Sequence, residues 1–174
     1  MAVYTSVPAE ALEQFLARYE TGPLLSAKGI AEGVSNSNFL VETTTGRFIL
    51  TLYERRIDPA DLPYFIALME HLAAAGLPVP HPVRDRDGNA LQSLEGKAAC
   101  LIQFLPGVSV SRPTAAQARA AGEALARLHL AGADFVPTRA NGLALPWWQA
   151  TAAELAPRMD EIEPGLSALV SGKL

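Results

Sequence analysis

Apolar and polar positions follow two rhythms along this chain, and the rhythm changes near residue 107. Leu12, Phe15, Leu16 and Tyr19 recur at helical spacing, which predicts a first helix with one apolar face. Ser6 is placed to cap it, Pro8 sits in its first turn, and Gly22-Pro23 ends it. A strand is then predicted over 24–32, joined through Gly33-Val34-Ser35-Asn36-Ser37 to a second over 38–44. Thr45-Gly46 reads as a hairpin turn into a third strand over 47–54, RFILTLYE. Asp58-Pro59 or Asp61 opens a helix striped by Leu62, Phe65, Ile66, Met69, Leu72 and Ala73, which Gly76 closes. Pro78, Pro80 and Pro82 force an extended connector. Asp87-Gly88 predicts a two-residue hairpin turn. The strand over 97–104, KAACLIQF, is almost continuously apolar, as a strand covered on both faces would be, and Pro106-Gly107 breaks it.

From Thr114 onward the pattern is helical only. Thr114 and Gln117 fit a capping box, with Leu125, Leu128 and His129 on the inner part of that helix. Pro146 starts another helix through Trp147, Trp148 and Leu155, interrupted at Pro157, and no element is predicted from Glu163 to Leu174. Helix, strands, helix, strands and then helices make an α+β chain with a mostly antiparallel sheet running into a helical region, with a boundary near 106–113.

Composition narrows the possibilities. With 49% hydrophobic and 18% charged residues, the chain can bury a core and is not a disordered one. A net charge of −4 gives no electrostatic case for nucleic acid or an anionic membrane. The single cysteine, Cys100, forms no internal disulfide and no cysteine-rich zinc site. The apolar runs fall well short of the roughly 20 residues of a membrane span. The first residues lack the basic start and apolar stretch of a signal peptide, so a soluble cytoplasmic protein is expected.

Three segments are candidates for chemistry. In Gly33–Asn38, GVSNSN, a glycine and small polar residues leave backbone N–H groups free to face phosphate, although a polar hairpin turn accounts for the same residues. The run ending in Thr51 stands where a kinase-like strand carries a phosphate-gripping lysine, and equally reads as a plain core strand. Gln103-Phe104-Leu105-Pro106-Gly107 has the form of a hinge whose backbone can meet an adenine edge, or of an ordinary turn. Lys28, Arg55, Arg56 and Lys97 are nearby cations. His71, His81 and His129 have no metal-ligand spacing, and His129 reads as a hydrogen-bonded core residue. Cys100 reads as core rather than nucleophile.

In their order these segments resemble the start of the bacterial homoserine kinases of the aminoglycoside phosphotransferase/choline kinase-like superfamily. The resemblance runs through KGIAEGVSNSNFLVETTTGRFILTLYERR (28–56), DLPYFIALMEHLAAAGLPVPHPV (61–83), KAACLIQFLPG (97–107) and GEALARLHLA (122–131). The opening Met1–Tyr4 before an amphipathic helix looks similar too. The resemblance implies a two-lobed, protein-kinase-like fold, with a nucleotide-binding N-lobe over 1–107 and the start of a helical C-lobe over 108–174. It implies ATP-dependent phosphorylation of the L-homoserine hydroxyl to O-phospho-L-homoserine in threonine biosynthesis, with ATP and homoserine as partners and Mg²⁺ as cofactor. By the same resemblance Gly33, Ser35, Asn36 and Asn38 lie over the ATP phosphates. Gln103, Phe104 and Leu105 form the hinge, and His129 gives structural support; of the nearby cations, independently of the resemblance, Lys28 and Arg55 are expected to contact phosphate.

Three departures accompany it. The strand lysine is replaced by Thr51, and the superfamily's helix glutamate falls near the apolar Phe65. The H-x-D-x-x-x-x-N loop that would supply the base and metal ligands does not occur, since none of the three histidines is followed two positions on by Asp. The catalytic Asp and the Mg²⁺ ligands are therefore expected downstream of Leu174, and the 174 residues alone are expected to be an inactive fragment. Another small-molecule kinase of the superfamily, acting on an amino alcohol or antibiotic, and a non-catalytic nucleotide-binding module stand as alternatives.

Overall fold

The computed structural model describes residues 3–33, 35–54 and 57–173. Helix α1, Ala9–Leu16, turns Leu12, Phe15 and Leu16 inward. Its N-cap is Pro8, whose backbone is fixed extended and whose carbonyl accepts the Leu12 N–H at 3.0 Å, so the expected Ser6 cap is not made. Tyr19 follows in the next turn, its ring 5.2 Å from that of Phe15.

Five strands form one antiparallel sheet: β1 Leu24–Gly29, β2 Asn36–Thr43, β3 Arg47–Tyr53, β4 Gln92–Leu94 and β5 Lys97–Gln103. Their order is β1-β2-β3-β5-β4. Helix α2, Leu62–Ala74, lies between β3 and β4 in sequence. A 3-10 turn over Pro59–Asp61 leads into it, with the Asp58 side chain accepting the Ala60 N–H at 2.9 Å.

Side chains alternate across the sheet, and β3 and β5 contribute to a core on each face. On one face Phe39, Val41, Leu50, Leu52, Ala99 and Leu101 pack with α1 and Tyr19. On the other, Cys100 packs with Ile66 and Ala90, and Tyr53, Met69 and Ile102 lie against them. Cover on both faces explains the unbroken apolar run of β5.

The predicted Asp87-Gly88 hairpin is corrected. That turn exists, but Asp85 Oδ1 accepts the N–H groups of Asp87 and Asn89, and the Arg86 N–H goes to the Arg18 carbonyl. Side-chain capping has taken donors that a strand ladder would use, and the flanks are not strands. The two-residue hairpin turn is Glu95-Gly96, between β4 and β5, with φ of 51° and 70°. Where β4 stops, the proline-rich connector continues the sheet. Val83 N–H donates to the Leu101 carbonyl at 2.7 Å and Gln103 N–H to the His81 carbonyl at 3.0 Å.

Helix α3, Ala115–Ala131, starts at the predicted Thr114–Gln117 capping box. Its C-terminus is tied to α2. The His71 Nε2–H faces the Ala131 carbonyl at 2.8 Å and Asp134 Oδ1 at 3.1 Å, and the Phe135 ring stacks near His71 and Tyr64. Leu125, Leu128 and His129 are exposed, which corrects their expected inner placement; Leu125 and Leu128 line an open cavity with Leu77, Pro78 and Val79 rather than packing in a core.

The chain divides into two compact units, Met1–Pro137 and Thr138–Leu174. The second contains α4, Leu145–Met159, and α5, Leu166–Ser171. Helix α4 runs through Pro157 rather than stopping there, ending two residues later. Its Trp147 and Trp148 rings meet edge to face at 5.0 Å, and Trp148 Nε1–H donates to the Leu143 carbonyl. The unpredicted α5 is short and is capped from a distance, since Asp160 accepts both the N–H and the hydroxyl of Ser167 at 2.9 Å. No helix among the described residues is long and apolar enough to cross a membrane.

Candidate nucleotide-binding face

Antiparallel partners point to the same side of a sheet. The register therefore assembles the face on the α2 side row by row. Glu42 pairs with Arg47, and Lys28, Leu40, Ile49 and Ile102 form the next row. Asn38, Thr51 and Cys100 form a third row, and Asn36 with Tyr53 a fourth. One end of this face is the glycine loop and the other is the predicted hinge.

The loop is closed where Ile30 N–H donates to the Asn38 carbonyl at 2.8 Å. Gly33 has φ of +103°, a conformation side-chain-bearing residues rarely adopt. Asn36 Oδ1 is buried with no hydrogen-bond partner among the described residues. Asn38 is held by a hydrogen bond from Thr51 Oγ1 to its Oδ1 at 2.8 Å. Lys28 lies exposed on the same face.

At the other end Gln103 is opposite Phe48, and its N–H is already used by His81. Phe104 lies under the Arg47 guanidinium at 4.5 Å, and Leu105 is 37% exposed. From the Gln103 row to the Asn38 row is three residues of β3, about 10 Å at the usual strand rise. That span matches the reach from a purine ring to its phosphates, with Leu40, Ile49 and Ile102 as an apolar floor between.

Other residues singled out in the sequence lie elsewhere. Arg55 and Arg56 lie outside the described residues. Lys97 is on the α1 side, paired with Glu54 at 3.3 Å. His129 is exposed on α3, so the core reading is corrected. Glu70, on α2 and not among the residues singled out above, makes a bidentate pair with Arg84 at 2.7 and 2.9 Å, fastening α2 to the connector. Cys100 is fully buried, and burial, with a smaller push from the Glu70 charge, raises its thiol to about 12. It is therefore a neutral core group.

Sequence reasoning missed one cluster behind the loop. Glu54, just after β3, accepts the hydroxyls of Thr5 and Ser37, both at 2.7 Å, and faces Lys97. Ser37 is fully buried, and its oxygen accepts the N–H groups of Tyr4 and Thr5 at 2.8 and 3.1 Å. Burial pushes the Glu54 carboxyl up, but the hydrogen bonds from Thr5, Ser37 and Lys97 and the Lys97 charge outweigh it and hold it below the usual range. The N-terminal segment is thereby strapped to the first residues of β2. These partners are far apart in sequence, so no local spacing announces them.

A sheet of this order, with a helix after its third strand and helices following, is the architecture of small-molecule kinases. The chain belongs to the APH phosphotransferase enzyme family, whose model matches residues 26–169. It is 55% identical over 174 residues to the homoserine kinase of Azorhizobium caulinodans and 53% identical over 174 residues to that of Bradyrhizobium diazoefficiens. It is 56% identical over 168 residues to that of Methylorubrum populi. These alignments take in 97–100% of this chain but 52–54% of the relatives, so the chain spans about half the length of the curated relatives it matches. Among solved structures, a spectinomycin phosphotransferase in complex with ADP and spectinomycin superposes on 89% of the chain with a TM-score of 0.66 at 15% identity, covering 48% of that chain. A microcompartment-associated aminopropanol kinase superposes on 88% with a TM-score of 0.58 at 18% identity, covering 55% of that chain. These two support the fold.

Proposed function

We propose that this chain is the ATP-binding portion of a homoserine kinase, with an N-lobe over 1–107 and the first part of a C-lobe from 108. The observation that carries the reading is identity above 50% to homoserine kinases along the whole chain. In this reading the adenine meets the hinge at Gln103–Leu105 and lies on Leu40, Ile49 and Ile102. The phosphates lie under Gly33–Asn38 with Lys28 beside them, and Arg55 is a further phosphate contact. The homoserine hydroxyl oxygen attacks the γ-phosphorus of ATP, the bond to the ADP oxygen breaks, and the hydroxyl proton passes to a carboxylate base. No such base in the H-x-D-x-x-x-x-N setting occurs in these 174 residues. Mg²⁺ accompanies the nucleotide. Among the described residues no group of three or more His, Cys, Asp or Glu could hold it, so no step is assigned to it here. The reaction is placed in the cytoplasm.

Two measurements test this. The gene product carrying any continuation past Leu174 should convert L-homoserine and ATP to O-phosphohomoserine and ADP, followed by ³¹P NMR. Preference for an amino alcohol or aminoglycoside over homoserine would overturn the substrate. The 174-residue chain should bind ADP without turning over ATP; absence of binding in calorimetry would overturn the nucleotide-binding role.

A further inference from the structure

The strand position that carries a lysine in kinase-like sheets is Thr51 here, and this residue is not idle. Thr51 is 6% exposed and sits directly across from Asn38 in the β2–β3 register. Its hydroxyl donates to Asn38 Oδ1 at 2.8 Å. A carboxamide has one acceptor end and one donor end. With the oxygen committed to Thr51, the Nδ2 end is turned the other way, toward the glycine loop. It lies 4.0 Å from the point that a Cβ on Gly33 would occupy.

We propose that the Thr51–Asn38 pair replaces the strand lysine: Thr51 positions Asn38 so that its side-chain NH₂ donates to a phosphate oxygen of the bound nucleotide under Gly33. The inference rests on the nucleotide-binding reading given above. Two N–H donors on a neutral, fixed group serve a phosphate oxygen without the desolvation cost of a buried ammonium. Lys28, exposed one row nearer the hinge on the same face, supplies the positive charge. Thr51 is thus a positioning residue and Asn38 the contact.

Calorimetric titration of the 174-residue chain with ADP and with adenosine tests this. Thr51→Val keeps the shape and removes the hydroxyl, so ADP affinity should fall about tenfold or more, the scale of a hydrogen bond to a charged group. Adenosine affinity should stay within about twofold, on the same scale. Thr51→Ser should restore ADP binding. Asn38→Asp, which turns the donor into an anion while keeping the Thr51 bond, should abolish the preference for ADP over adenosine, and it serves equally if Thr51→Val does not fold. Unchanged ADP affinity in Thr51→Val, equal losses for ADP and adenosine, or failure of Thr51→Ser to rescue would each overturn the proposal. If the unaltered chain binds adenosine but shows no gain for ADP, the phosphate contact is wrong. If it binds neither, the nucleotide-binding reading itself fails.

Discussion

Replacing Glu54 tests whether the strap behind the glycine loop is an electrostatic device. Its side chain is 11% exposed and accepts two short hydroxyl hydrogen bonds at 2.7 Å, from Thr5 and Ser37. The Ser37 oxygen already accepts two backbone N–H groups, so its proton is directed to Glu54. Hydrogen bonds to a charged acceptor contribute about 1.5–3 kcal/mol each, against about 1 for neutral ones. Glu54→Gln keeps an acceptor oxygen but loses the charge, so the two bonds together weaken by about 1–4 kcal/mol. The partly exposed Lys97 pair adds at most about 1 kcal/mol. A loss of about 2–3 kcal/mol at pH 7 is expected, measured by urea unfolding followed by circular dichroism. The pH dependence gives the sharper signature. A carboxyl held below its unfolded value stabilises the fold fully above that value, about 4.3 for Glu, and the contribution is lost as pH falls through the folded value. The gap between the native chain and Glu54→Gln should therefore be widest near pH 7 and narrow below about pH 4. A gap that is absent at pH 7, or equally large at both pH values, would refute the electrostatic account.

Three further outcomes are expected. Leu50→Ala, at a position with no exposed surface between β2 and β5, should cost about 2–5 kcal/mol in the same unfolding assay, and a cost under about 1 would mean the site collapses without a cavity. Cys100, buried and with its thiol raised to about 12, should resist a thiol reagent at pH 8 in the native chain and react fully in denaturant, so rapid native labelling would contradict its placement. His71→Ala removes the donor to the Ala131 carbonyl and should speed amide exchange in residues 128–135 while leaving the β3 and β5 amides protected. Equal acceleration in the sheet would mean that His71 supports the whole fold rather than one helix end.

The elements were largely legible because each is written in a local pattern. The α1 stripe, the β3 and β5 runs, the α2 stripe and the Thr114 box all sit within a few residues of their own signals. Misreadings fell where a residue works at a distance or where two turn signals compete. Asp87-Gly88 carries a hairpin signal, but Asp85 caps that turn with its carboxylate and the hairpin forms at Glu95-Gly96, which was not predicted; the capping is invisible until Asn89 and Gln92 fold back onto Asp85. Helix α5 is too short for its period to register. The exposed face of α3 was misplaced because an apolar stripe announces burial without saying what supplies the cover.

The candidate site divides along the same line. Lys28, Asn36 and Asn38 fall on the α2 side by the strand register, whereas Gln103 pairs with Phe48 on the α1 side, so only its backbone can serve a hinge. The roles of Thr51 and Glu54 do not follow from register alone, because each depends on a partner across the sheet. β3 carries Thr51 on the α2 side of the sheet, and Glu54 follows on the opposite one, three residues later, where it fastens the N-terminal strap to Ser37. Ser37 lies between Asn36 and Asn38, so the strap holds from behind the very strand whose front carries the two asparagines. Loosening Glu54 should therefore weaken phosphate binding and lower stability in the pH-dependent way described above, whereas changing Thr51 should weaken phosphate binding without that pH dependence. That difference separates the scaffold of the loop from the residue that positions its phosphate contact, although the two are near neighbours in sequence.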